Sequence, residues 1–272
     1  MKNLDLHTWQ FTTHEGVFGI AGKKRKSDFL RMDVTNAAAD SDDVQHATNL
    51  SSYEETLAWE ELGLAVGFTR VVRRKQVHGV DIEVVDAASS SFDGVADALI
   101  TTQTNVLLAV TVADCCGIVL WHEDVPLCAC IHSGWRGTEK NITRRVVERM
   151  QTLLRFEPSH LHAWLSPCAS GRSYSVRTDV QQLFPAFCTE VSDGSFLFDN
   201  SAAITAQLLE CGLLPERIRV SQTCTIEDPR YHSFRRDGVN SGRNAVFVGM
   251  KSPERITDRG LIGSVGLIEQ TT

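Results

Sequence analysis

The chain has 272 residues, 42% hydrophobic and 22% charged, which is long enough to bury a full core and close to the average of soluble globular proteins. Its net charge of −7 excludes a general nucleic-acid binder, which would present a basic face. No apolar run approaches the roughly 20 residues that span a bilayer, and "MKNLDLHTWQ" lacks a secretory apolar segment, so neither membrane insertion nor export is expected.

The eight cysteines accordingly read as cytosolic thiols of a cytoplasmic protein rather than a disulfide framework. Near the N-terminus, "GVFGIAGK" places glycines at 16, 19 and 22, matching neither the dinucleotide G-x-G-x-x-G nor a Walker loop. Lys23, Lys24, Arg25 and Lys26 form the only basic run and read as a solvated loop. Ser51 and Ser52 stand three residues before Glu54 and Glu55, a capping box for a helix that Gly63 is placed to end.

Short apolar runs then predict strands over 71–72, 82–85, 106–112, 118–121 and 127–131. "DAASSSFDG" (86–94) reads as a loop, and Glu123-Asp124 as a turn between antiparallel strands. Ile142, Val146, Met150 and Leu153 lie on one stripe of an amphipathic helix over 138–154. Leu161, Ala163 and Leu165 alternate along a strand over 160–165. Asp199 or Asn200 caps a helix through Ile204 and Leu208, which Gly212 ends. Strands over 217–221 and 245–248 complete the pattern. No repeat or linker divides the chain, and strands do not alternate regularly with helices. The expectation is one domain, residues 1–272, of α/β class (α+β type) with a mixed sheet.

No H-E-x-x-H, paired C-x-x-C or G-x-S-x-G is present, so any chemistry comes from residues gathered across strands. Cys115, in "VADC", sits where a buried strand gives way to a loop, and His132, in "IHSGWRG", stands at the matching end of the next apolar run. The helix start after that block suits an anion, and Arg136 beside it strengthens that reading. "KQVHG" adds Gln76 and His78. Taken alone, each of these residues also fits a packing role, and the spacing of His78, Cys115 and His132 is not diagnostic of a metal. Cys116, Cys128, Cys130, Cys188 and Cys211 read as packing.

Together, "KQVHG", "DALIT", "VADC", "IHSGWRG", Cys224-Thr225 and "SFRRDGVNSGR" occur in the order seen in the bacterial laccase-domain, or "polyphenol oxidase", family, which the chain resembles from about Thr12 to Val248. That family is regarded as zinc-dependent purine nucleoside phosphorylases with adenosine deaminase side activity. The resemblance implies a metal held by His78, Cys115 and His132. It also implies a single domain whose sheets are sandwiched by helices, related to a toxin deamidase with a Cys-His pair. Three features depart from the family pattern. Cys116 and Gly117 replace an aliphatic residue and proline, which makes Cys116 a rival ligand. "SPCASGRSYSV" (166–176) and "TTHEGVFG", with His14 near a basic position, differ from the family's substrate-facing blocks.

Two imidazoles and a thiolate leave a fourth zinc position open, as in catalytic sites. Zinc there would lower the pKa of bound water to about 7, the chemistry that deamination of adenosine needs. Phosphorolysis needs cations for the phosphate, and Arg136, Arg235 and Arg236 are the candidates, with Asp114 as the candidate acid or base. The expected substrates are thus small molecules, a purine nucleoside and phosphate. A multicopper centre is not expected from nine scattered histidines, although a single His₂Cys copper matches the same ligand set. Two alternatives differ in class. One is a thiol hydrolase or amidase acting on peptidoglycan precursors, with Cys115 as nucleophile and His132 as base. The other is a non-catalytic zinc-binding homologue.

Overall fold

Alternation of apolar side chains along the strands sorts this protein into layers. The computed structural model describes residues 6–11, 16–22, 52–192 and 194–252. The basic run 23–26, His14, and the side chains of the capping box (51–55) lie outside what is described. In chain order the first elements are β1 (Leu6–Phe11), β2 (Gly16–Ala21), α1 (Ser52–Ala65), β3 (Val71–Val72), β4 (Ile82–Val85), β5 (Ala98–Thr101) and β6 (Val106–Val112). Then come β7 (Cys116–His122), β8 (Cys128–Ser133), α2 (Trp135–Glu139), α3 (Ile142–Leu153), β9 (Leu161–Leu165), β10 (Ser175–Val176) and α4 (Thr178–Leu183). The last are β11 (Cys188–Ser192), β12 (Ser195–Phe198), α5 (Asn200–Glu210), β13 (Ile218–Val220), α6 (Phe234–Asp237) and β14 (Asn244–Met250).

Two mixed sheets face each other. One runs β1-β2-β14-β6-β3 and the other β13-β9-β7-β8-β5-β4; a small antiparallel sheet, β10-β12-β11, stands apart from them. Phe18, Val110 and Val246 from the first sheet meet Val119, Cys130 and Trp164 from the second to form the inner layer. The outer face of the second sheet packs Ile118, Leu120 and Ile131 against Ile142 and Val146 of α3 and Ile204 of α5. The outer face of the first sheet packs Leu107 and Phe247 against Trp59 and Leu62 of α1. Helices therefore cover both outer faces of a two-sheet sandwich, which places the chain in the mixed α+β class.

The expected strands over 71–72, 82–85 and 106–112 coincide with β3, β4 and β6. Asp199 caps α5, accepting a hydrogen bond from Ala202 N at 2.9 Å, and Gly212 beyond its end takes φ +95°. Two helix expectations are corrected. α1 runs past Gly63 to Ala65, and Gly67 (φ +83°) takes the left-handed position instead. Gly63 is there for proximity, since a Cβ would lie 2.7 Å from Val71 Cγ2 and 2.8 Å from the Phe68 carbonyl. The helix over 138–154 is really two, because Asn141 (φ 58°) breaks it into the five-residue α2 and the amphipathic α3. The long helix therefore does not start at the "HSGWRG" block.

Gly117 of β7 sets how closely the sheets approach. A Cβ there would lie 2.6 Å from Val246 Cγ2 on β14 of the facing sheet. Gly117→Ala should destabilise the protein by about 1–3 kcal/mol through overpacking. Adding Val246→Ala should return part of that loss. Denaturant unfolding of the two single variants and the double variant checks the coupling, which should be absent if the contact is not formed.

Candidate metal centre

β5 and β8 pair antiparallel with Ala98 opposite Ile131, which brings Asp97, just before β5, beside His132 near the end of β8. β7 pairs with β8 so that Gly117 faces His132, and Cys115 immediately precedes β7. His78 enters from the loop after β3. Its Nε2 lies 3.8 Å from Cys115 Sγ, and the two imidazoles meet edge to face with centroids 4.7 Å apart. The donor atoms of His78, Cys115 and His132 all lie within 4.8 Å of one another. The structure thus gathers three residues separated by 37 and 17 positions.

Asp97 organises this trio. Its carboxylate is fully buried, and Oδ1 lies 2.8 Å from His132 Nδ1. Oδ1 also accepts the His78 N–H at 3.0 Å, while Oδ2 accepts those of Val77 and Gly79 at 3.2 and 2.7 Å. Three successive amides can converge on one carboxylate because His78 adopts φ 56°, the left-handed conformation that turns N–H groups to one side. The His132 Nδ1 proton is thereby fixed, and Nε2 is presented to Cys115. Gln76 secures the same loop from its other side. Its amide accepts from Thr111 N at 2.7 Å and donates to Thr111 O at 2.8 Å, so both polar atoms of this expected substrate contact are engaged with β6.

The electrostatics agree with the geometry. Burial opposes ionisation of the Cys115 thiol, but the His132 and His78 imidazoles outweigh it and draw the pKa down to about 6. Burial likewise disfavours the His132 imidazolium, and the Cys115 thiolate and Asp97 outweigh it to raise the pKa to about 9. Without a metal, the two groups form a thiolate–imidazolium pair near neutral pH. The donor set fits a four-coordinate metal. Tetrahedral zinc at about 2.0–2.1 Å from nitrogen and 2.3 Å from sulfur needs N···S separations of about 3.5 Å, close to that between His78 and Cys115. Strand alternation separates Cys115 from its neighbour: Cys115 packs on the inner layer, while Cys116 is fully buried in the outer one. The Cys168 thiol beside it, and then burial, raise the Cys116 thiol well above its usual range.

Around this centre, Asp114 (φ 84°) is held at both oxygens, Oδ1 by the Thr225 hydroxyl at 2.7 Å and Oδ2 by the Arg235 N–H at 2.6 Å. The Arg235 guanidinium lies 5.1 Å from the Tyr174 ring and donates to the Ser175 carbonyl. Arg136 is exposed and lies over the Trp135 ring at 4.3 Å. Arg236 is turned inward: its nitrogens donate to Asp237 and to the carbonyls of Thr225 and Tyr231, bracing its own loop. Asp97, Tyr174 and Arg243 were not singled out from the sequence. The signal for Asp97 was a lone carboxylate heading the apolar run of "DALIT".

A family model described as multi-copper polyphenol oxidoreductase laccase matches residues 28–251, and the chain belongs to that family. Among its relatives, a purine nucleoside phosphorylase of Corynebacterium glutamicum is 34% identical over 185 residues, covering 66% of this chain and 74% of its own. A purine nucleoside phosphorylase of Mycobacterium tuberculosis is 33% identical over 196 residues, covering 70% and 77%. The crystal structure of YlmD from Geobacillus stearothermophilus superposes with a TM-score of 0.74 at 26% identity, covering 90% of this chain and 97% of that one.

Gly134 tests the centre without touching a ligand. Its backbone is extended (φ −79°, ψ 179°), but a Cβ would lie 2.8 Å from Cys115 Sγ and 3.3 Å from His78 Cδ2. Gly134→Ala should therefore weaken metal binding by about 10-fold or more while leaving the far-ultraviolet dichroism unchanged. Cys115→Ser should abolish binding, and Cys116→Ser should largely spare it. Elemental analysis of the purified variants decides; metal loss in Cys116→Ser alone would shift the assignment by one residue.

Proposed function

We propose that this protein is a zinc-dependent purine nucleoside phosphorylase that converts adenosine or inosine and phosphate to the free base and ribose 1-phosphate. The observation that carries the reading is the Asp97-ordered trio of His78, Cys115 and His132 beside a rim that carries the exposed guanidinium of Arg136. The names of the relatives support it. When bound, zinc would supply a Lewis acid that polarises an oxygen in the site. The chain's own groups do the rest. Asp97 keeps the proton on His132 Nδ1, so the other ring nitrogen stays available to the metal. Asp114, pinned at both oxygens, is fixed in place at the rim and is the candidate acid or base. Burial pushes the Tyr174 phenol well above its usual range, so it stays protonated and able to donate. Arg136 and Arg235 supply cations for the phosphate, whereas Arg236 acts through the loop it braces.

Oxidase chemistry, which the family description implies, is less well supported. Among the described residues, the only other group of three donors within the same distance is Glu123, Asp124 and His160. His160 lies beside His122 and, with His162, beside Glu123, but that donor group holds a single imidazole, whereas a multicopper centre needs several on its metals. Deamination of adenosine is a side reaction of the same centre. The thiolate–imidazolium pair of Cys115 and His132 favours one second reading, a thiol hydrolase with Cys115 as nucleophile.

Release of hypoxanthine from inosine should require phosphate, yield ribose 1-phosphate, and be lost on chelation and restored by zinc. Product analysis with and without phosphate, before and after chelation, checks this. Base release at the same rate without phosphate would make the protein a nucleoside hydrolase. Full activity after complete metal loss would favour the thiol reading. Arg136→Ala should raise the phosphate requirement, with a loss of about 2–4 kcal/mol in transition-state stabilisation and zinc retained.

A further inference from the structure

Arg243 stands one residue before β14, whose first residue, Asn244, pairs with Val112 at the end of β6. Its side chain therefore starts beside the segment that carries Asp114 and Cys115. Asn244 fixes the position from within the core. It is fully buried, donates to the carbonyls of Val112 (3.2 Å) and His232 (2.9 Å), and accepts the His232 N–H at 2.9 Å.

The guanidinium itself is only partly satisfied. Nη1 donates to the carbonyls of Ser241 and Gly242 at 3.2 and 3.0 Å, and the group lies 5.9 Å from the Phe234 ring. Among the described residues, Nε and Nη2 have no hydrogen-bond partner and no carboxylate lies within ion-pair distance. Three other inward-turned arginines differ: Arg74 pairs with Glu83, Arg217 with Glu123 and Arg236 with Asp237. Burial disfavours the charge of Arg243, and the groups that act in its favour are Cys115 and Asp114. Asp114 is already engaged by Thr225 and Arg235. A guanidinium with free donors, held at the centre without a carboxylate of its own, matches the fork geometry by which arginine takes oxyanions.

The geometry points to Arg243 as the residue that binds a phosphate oxyanion at this centre, a role expected at first of Arg136, Arg235 and Arg236. The choice of phosphate among oxyanions rests on the phosphorylase reading; the oxyanion subsite does not. Arg235 and Arg136, on the rim beside Tyr174, add positive charge on the side from which a doubly charged ligand would enter. The oxyanion has two sources, free phosphate or the phosphate of a sugar ester.

Calorimetric titration of inorganic phosphate and of ribose 5-phosphate into the metal-loaded protein tests this. Saturable phosphate binding is expected, weakened about 10- to 100-fold in Arg243→Met and partly restored in Arg243→Lys. It should be unchanged in Arg144→Met, whose arginine pairs with Glu210 across α3 and α5. A second measurement needs no variant: phosphate should protect Arg243 of the native protein from an arginine-directed dicarbonyl, as read by peptide mapping. Wild-type affinity in Arg243→Met, or an Arg243 protected by neither phosphate nor ribose 5-phosphate at saturation, overturns the assignment. Protection by ribose 5-phosphate alone keeps the subsite and assigns it to the sugar phosphate. Arg243-dependent phosphate binding without nucleoside turnover keeps the subsite and removes the phosphorylase reading. Phosphorolysis with an unchanged phosphate KM in Arg243→Met does the reverse.

Discussion

The buried carboxylate of Asp97 is the constraint on which the centre depends. A carboxylate removed from water carries a penalty of several kcal/mol unless its lone pairs are satisfied. Here four N–H groups, three from the backbone of 77–79 and one from His132, meet that requirement. The same four bonds fix the two histidines in different ways, His78 through its main chain and His132 through its ring. Removing the carboxylate would leave the loop without its anchor and His132 without its tautomer. Structural and chemical demands therefore converge on one residue that stands outside the trio it orders.

Sheet geometry does the rest of the positioning. The ends of β6 and β8 and the loop after β3 reach the same edge of the sandwich, so residues far apart in sequence become neighbours there. Small residues keep the edge open to the ligands: Gly117 lets the facing sheet approach, and Gly134 leaves room for Cys115 Sγ. The left-handed backbone of His78 and Asp114 lies at the same edge. Such conformations persist only where surrounding bonds over-determine them, as the contacts of Asp97 and Thr225 do.

Much of the frame was legible from periodicity. The apolar runs of β3, β4 and β6, the alternation of β9 and the Asp199 cap follow from rules that act over a few residues. The ligand trio was legible only through its motif blocks, since no local spacing joins His78 to Cys115 and His132. β2 escaped because its glycines interrupt the apolar pattern, and β11 because its exposed, polar sequence offers no buried face. The break at Asn141 escaped because the apolar stripe continues across it. The arginines show the limit most clearly. Adjacent in sequence, Arg235 and Arg236 look alike, yet one faces the rim and the other braces a loop. Which donors are engaged is decided by carbonyls and carboxylates that the fold brings in, as with Arg243, which motif reading passed over.

The proposed function rests on one centre, built from two imidazoles and a single thiolate. X-ray absorption at the edge of the metal bound to the purified protein reads that shell directly. Zinc near one per chain is expected, with one sulfur at about 2.3 Å, two imidazole nitrogens at about 2.0 Å and one further light ligand. A shell without sulfur, or one with two sulfurs drawn from Cys115 and Cys116 together, would contradict it.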